Sequence, residues 1–77
     1  MRLEIISPEK IIYIGEAEMV SLPGLKGSFT ILERHAPIIS SLSKGKVVYR
    51  KDAQEYSCEI NGGFIEMKDN KITVCVE

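Results

Sequence analysis

Eighteen of the 77 residues are β-branched: eleven Ile, five Val and two Thr, against only three Ala and five Leu. Branched side chains lose rotamers on a helix and fit a pleated surface, so the chain is biased toward strand. Six Gly and three Pro punctuate it at short intervals. Short strands with regular turn signals are the pattern of an all-β sandwich or barrel. The length allows one domain, residues 1–77, that buries only about 60% of the surface its unfolded chain exposes.

The periodicity locates the strands. Leu3 and Ile5 alternate with Arg2, Glu4 and Ile6 before Ser7-Pro8-Glu9 breaks the run. Ile12, Ile14, Ala17 and Met19 read as one longer strand whose phase slips near Gly15 and again near Val20. Such a slip marks a bulge or a move between sheets. Pro23 to Gly27 reads as a glycine loop, followed by a short strand through Phe29 and Ile31. Pro37 to Leu42 fits a helical turn or a strand. Val47 and Tyr49, then Tyr56, Cys58 and Ile60, form two half-buried strands around a turn at Lys51–Gln54. Asn61-Gly62-Gly63 fits either a hairpin turn or a bend between sheets, and Asp69-Asn70 fits a two-residue hairpin.

Composition excludes several functions. Ten Lys+Arg against eleven Asp+Glu leave a net charge of −1, without the basic excess of a nucleic-acid binder. The longest apolar run, Ile11 to Ile14, is far below the ~20 residues of a membrane span. Met1-Arg2-Leu3-Glu4 lacks a signal-peptide core, and folding in the cytoplasm is the expectation.

Residues able to carry chemistry are few. Cys58 is in phase with Ile60 and Cys75 is out of phase with Ile72, Val74 and Val76, so the two thiols point to opposite faces and stay unpaired. Two Cys and one His lack metal-ligand spacing. A catalytic His35 would need Ser40, Ser41, Ser43 or Glu33 beside it, and nearness in sequence does not supply that. The alternative is a loop histidine bonded to backbone or packed by Pro37. Pro23 to Ser28 is too short for a P-loop. Lys44, Lys46, Arg50 and Lys51 are balanced by Glu55, Glu59 and Glu66, which favours a solvated face over a nucleic-acid site. From the residues alone, the expectation is a small sandwich that binds another protein, with no active site and no cofactor.

The order of motifs is more specific. Leu3-Glu4-Ile5-Ile6-Ser7-Pro8-Glu9, Gly15-Glu16-Ala17-Glu18, Leu22-Pro23-Gly24, Gly27-Ser28-Phe29, His35-Ala36-Pro37-Ile38-Ile39, Gly62-Gly63-Phe64-Ile65-Glu66 and Ile72-Thr73-Val74 follow one another along the chain. This collinear set resembles the epsilon subunit family of bacterial F-type ATP synthases, over essentially the whole chain. Thr30 and Glu33 stand where many members have Gly and Pro, and Ser28 where relatives often carry an acid or another polar group.

The resemblance implies a flattened sandwich of two antiparallel five-stranded sheets. It implies a non-catalytic rotor subunit of the central stalk, coupling proton flow to ATP synthesis in the catalytic alpha and beta subunits. The partners implied are the gamma subunit and the membrane c-ring, at the cytoplasmic face of the bacterial inner membrane and without insertion into it. The family's c-ring loop maps onto Gly24, Leu25, Lys26, Gly27, Ser28 and Phe29. Its gamma-facing region maps onto Ser7, His35, Ala36, Pro37 and Ile38. The Gly62-Gly63 pair falls where the family's strand bends between sheets. Leu25, Phe29 and Ile38 are the candidate apolar anchors, being on or beside loops. The family usually continues into two inhibitory helices; the 77-residue sequence stops at Glu77, and a short form without them is the expectation.

Overall fold

The computed structural model describes all 77 residues, as nine strands and no helix. They are β1 (Arg2–Ile6), β2 (Ile11–Glu16), β3 (Met19–Gly24), β4 (Gly27–Leu32), β5 (Ile38–Leu42), β6 (Gly45–Lys51), β7 (Gln54–Ile60), β8 (Gly63–Lys68) and β9 (Lys71–Val76). One layer runs β2-β1-β9-β8-β5, and the other is β3, β6 and β7 with β4 on the far side of β3. A pairing between Gly24 and Leu42 links the two layers into one ladder.

The sandwich expected from composition and motif order is therefore present, with two differences. There are nine strands rather than ten, five in the first layer and four in the second, and β3 touches both layers, pairing with β6 at Met19–Ser21 and with β5 at Gly24. The pairing of β1 with β9 is parallel, whereas every other pairing is antiparallel.

Alternation builds the core. Leu3 and Ile5 of β1, Ile72, Val74 and Val76 of β9, and Ile65 and Met67 of β8 point inward from one layer. Val20 and Leu22 of β3, Ile31 of β4, Val47 of β6 and Ile60 of β7 meet them in one cluster. Each such side chain contributes about 1.5–3 kcal/mol by leaving water. The seam between β2 and β6 is closed by aromatic rings: Tyr13 lies 4.5 Å from Tyr49, which stacks 5.4 Å from Tyr56.

Several local readings resolve. The long strand expected through Ile12, Ile14 and Met19 is two strands in different layers, divided at Ala17–Glu18. Within β2 the inward residue is Tyr13, while Ile12 and Ile14 face out; the register shift opposite Ile5 and Ile6 falls at Ile12, and the slip expected near Gly15 is the end of β2 at Glu16. Pro23 and Gly24 belong to β3, so the expected glycine loop contracts to a turn at Leu25-Lys26. Residues 38–42 are strand rather than helix. Asp52-Ala53 and Asp69-Asn70 form tight hairpins with both central φ values positive, the type I′ geometry that suits the strand twist. Gly62 and Gly63 carry the chain from β7, paired with β6, to β8, paired with β5 and β9; the bend, not the hairpin, is correct.

Candidate functional site

Two surfaces stand out, and they meet at one end of the sandwich. The first is the hairpin joining β3 and β4. Gly24 pairs with Gly27, and Leu25 and Lys26 form the exposed tip. Leu25 is 67% exposed, whereas Phe29 is half-buried against the core, under Gly24. The hairpin is anchored from behind, since Ser43 donates its backbone N–H to the Pro23 carbonyl at 2.7 Å. Beside it on β5, Ile39 is 76% exposed.

The second surface is the outer face of the β2-β1-β9-β8-β5 layer. The registers align Ser41, Phe64, Cys75, Ile6 and Ile11 in one row across five strands. At about 4.8 Å per strand the row is roughly 19 Å long. Phe64 and Ile11 are more than half exposed, and Ser7 and Pro8, which follow Ile6, border the row. The other half of this face is charged: Arg2 donates to Glu4 at 3.1 Å, and Lys71 approaches the same carboxylate at 3.7 Å.

The structure divides the residues expected on the gamma side. Ser7 lies at the hairpin end, with Phe64 and Ser41. His35, Ala36 and Pro37 lie in the loop before β5, at the opposite end, tied to the β8–β9 turn by the Arg34 N–H donating to Asn70 Oδ1 at 2.8 Å. Ile38 begins β5, half-buried, and like Phe29 packs in part against the core. About 13 Å of β5 separates the two ends. One partner surface touching both must cross the outer face. The five residues Gly24, Leu25, Lys26, Gly27 and Ser28 are contiguous and open with the exception of Gly24, which is buried. Ile6 faces out with Arg2 and Glu4, as its alternation with Leu3 and Ile5 predicts; sequence reasoning misses Phe64, Ile11 and Ile39 as surface residues, although Phe64 is out of phase with the buried Ile65 and Met67, and Ile39 with Leu42.

No catalytic constellation forms around His35. Its Nδ1 lies 2.7 Å from the Ala36 carbonyl of its own loop, as expected for a backbone-bonded loop histidine. Glu33 instead binds the Met1 ammonium, which also donates to the Ala17 carbonyl at 3.0 Å. That hydrogen bond is the main reason the Glu33 carboxyl titrates below its ordinary range, against an opposing desolvation. The Oγ atoms of Ser40 and Ser43 hydrogen-bond backbone carbonyls. Burial pushes the Cys58 thiol up, the reverse of what activates a nucleophile, and both cysteines are unpaired. No group of three or more His, Cys, Asp or Glu side chains is placed to hold a metal, and no helix is long and apolar enough to cross a membrane.

Comparison with known proteins gives this surface its context. The family model for the ATP synthase Delta/Epsilon chain, beta-sandwich domain, matches residues 1–77. The ATP synthase epsilon chain of Leptospira borgpetersenii is 39% identical over 77 residues, spanning 100% of this chain and 61% of the relative. That of Chlorobium limicola is 40% identical, spanning 99% of this chain and 88% of the relative. Among solved structures, a chain of the Euglena gracilis mitochondrial ATP synthase (OSCP/F1/c-ring) superposes with a TM-score of 0.90 at 16% identity, over 96% of this chain and 48% of its own length. A chain of the Tetrahymena thermophila central stalk and c-ring gives 0.83 at 16% identity, over 97% and 61%. At that identity the structures speak to the fold. The full-length match, together with relatives at 39–40% identity, places the chain in the ATP synthase delta/epsilon-chain β-sandwich family.

Proposed function

We propose that this domain is a non-catalytic rotor component of a proton-translocating F-type ATP synthase, joining the gamma subunit to the membrane c-ring. The observation that carries the reading is the family match along all 77 residues, with relatives named ATP synthase epsilon chain. In this reading the domain sits peripherally at the cytoplasmic face of the membrane. It acts on the catalytic alpha and beta subunits only through the stalk.

The geometry supports such a role in two ways. A part that transmits torque must not shear internally, and here one hydrogen-bonded ladder passes from layer to layer around a close-packed core. It must also present two separate contacts. The outer face that carries the row through Phe64, Cys75 and Ile6, with Ser7 at the hairpin end of its strands and His35-Ala36-Pro37 at the opposite end, suits the gamma subunit. An apolar centre with polar margins is the usual anatomy of a protein interface. The hairpin tip Leu25-Lys26, with Gly24, Gly27, Ser28 and Phe29 behind it, projects from one end and suits the c-ring.

The test is to mix the purified chain with the gamma subunit of the same organism and run size-exclusion chromatography. Co-elution at one-to-one, lost in Phe64→Asp, is expected. Separate elution at micromolar concentration would reduce the resemblance to one of fold, and a sandwich adaptor for another partner would replace the rotor reading.

A further inference from the structure

The chain has two asparagines, Asn61 and Asn70, and the fold treats them oppositely. Asn70 sits in the β8–β9 turn, where its Oδ1 accepts the Arg34 N–H at 2.8 Å and its carbonyl accepts the Arg2 N–H at 3.1 Å. Asn61 lies in the bend between β7 and β8, exposed, and its side chain has no hydrogen-bond partner. Gly62 follows it and has no side chain to screen its nitrogen. The Gly62 N–H falls between two ladders, one ending at Ile60 and the next starting at Gly63, and it makes no backbone hydrogen bond. Beyond that nitrogen the bend is fixed. The Gly62 carbonyl accepts the Glu77 N–H at 3.1 Å, and Gly63 packs against the Cys75 backbone.

A free backbone nitrogen next to a free side-chain amide is a reactive pair. Once the Gly62 nitrogen gives its proton to hydroxide, its lone pair can attack the Asn61 Cγ. The new N–Cγ bond closes a cyclic imide, the bond from Cγ to the side-chain nitrogen breaks, and that nitrogen takes a proton from water and leaves as ammonia. Water then adds to one of the two imide carbonyls. Opening at Cγ leaves aspartate and the original main chain. Opening at the Asn61 main-chain carbonyl leaves isoaspartate, in which the main chain runs through the side chain and is one methylene longer. Either route consumes one water, releases one ammonia and adds one negative charge to the chain.

We propose that Asn61-Gly62 is a self-modifying site: the folded chain converts Asn61 to aspartate and isoaspartate, with water as the only co-reactant, while Asn70 is held. The two products differ in consequence. Aspartate adds a carboxylate beside Gly62, where the Glu77 side chain already lies, but keeps the bend. Isoaspartate inserts its methylene directly before Gly63, whose surroundings are backbone and cannot give way. The isoaspartyl form therefore strains the crossing from β7 in one layer to β8 in the other. Gly63, Phe64 and Glu77 line one depression on the outer face, so the change reaches that face. The bend thus marks the age of the molecule, and neither the chemistry nor its products depend on the rotor reading.

The test is incubation of the 77-residue chain at a series of pH values from neutral upward, folded and in urea, followed by tryptic mapping. Cleavage after Lys51, Lys68 and Lys71 puts the two asparagines on separate peptides, residues 52–68 and 69–71. The folded chain should yield a more acidic species whose change is confined to residues 52–68. It should form faster as pH rises and be absent from Asn61→Ser. A protein-isoaspartyl methyltransferase with a labelled methyl donor should label part of that peptide. The separated isoaspartyl chain should melt about 4 °C or more below the parent, whereas Asn61→Asp, which has the charge without the methylene, should melt near it. Conversion at Asn61 only in urea, or equal conversion at Asn70 in the folded chain, overturns the proposal. An isoaspartyl chain that melts with the parent overturns the strain at the bend.

Discussion

Gly63 packs its α-carbon directly against the backbone of Cys75. A β-carbon at position 63 would overlap the Cys75 carbonyl oxygen and lie 3.0 Å from the Val76 α-carbon, and the residue's φ is +149°. Both obstacles are backbone, so neither can swing aside. Gly63→Ala is expected to destabilise the chain by about 3 kcal/mol or more, read by urea denaturation. Gly62→Ala has a similar φ but meets only the Glu77 side chain, so its loss should be clearly smaller. Equal losses at the two positions would mean that backbone angle alone sets the requirement.

The β6–β7 turn contains a correctable strain. Ala53 has φ of +64°, a left-handed conformation that costs an L-residue about 1–2 kcal/mol. The position is exposed and its side chain has no packing role. Ala53→Gly should raise stability by about 0.5–1 kcal/mol, the gain being reduced by glycine's freedom in the unfolded chain. A thermal midpoint unchanged or lowered would contradict this.

Glu33 gives the fold an acid limit. Its folded-state pKa lies below the ordinary value, chiefly because the Met1 ammonium hydrogen-bonds the carboxylate. A depressed carboxyl binds fewer protons when folded than when unfolded. Its stabilisation is therefore complete above the unfolded value, near 4.5, and is lost as pH falls through the folded one. Denaturation curves at a series of pH values should show stability falling through this window, with a shallower fall in Glu33→Gln. Parallel profiles for the two proteins would remove the contribution.

Leu25 and Phe29 separate contact from folding. Leu25→Asp alters an exposed tip and should change stability by no more than about 0.5 kcal/mol. Proton-driven ATP synthesis by the assembled enzyme should fall if the hairpin meets the c-ring. Phe29 packs against the core, so Phe29→Asp should lower the thermal midpoint of the isolated domain and confound any coupling assay. Full synthesis by an enzyme carrying Leu25→Asp would move the contact elsewhere.

Much of the fold is legible in the sequence because alternation is a local signal. Leu3 and Ile5, Ile72 and Val74, and the Asp69-Asn70 turn each announce their state within a few residues. What is not legible depends on partners distant in sequence. Ile12 and Ile14 are as apolar as Leu3 and Ile5, yet they face out because Tyr13 is taken inward by Tyr49, thirty-six positions along. The parallel pairing of β1 with β9 joins the two ends of the chain and leaves no trace in either strand's own pattern. The same limit holds for the candidate site. The hairpin residues are consecutive and can be picked out together, whereas the row from Ser41 to Ile11 exists only once five registers are known.

The aromatic seam has one more consequence. Tyr13, Tyr49 and Tyr56 are all the tyrosines the chain possesses, and it has no tryptophan. Its phenol fluorescence and near-ultraviolet dichroism therefore arise overwhelmingly from one junction, where β2 of one layer meets β6 and β7 of the other. A twist that parts the layers at this junction changes the coupling between those rings. The domain thus carries an intrinsic optical gauge of its own torsion, readable without a label.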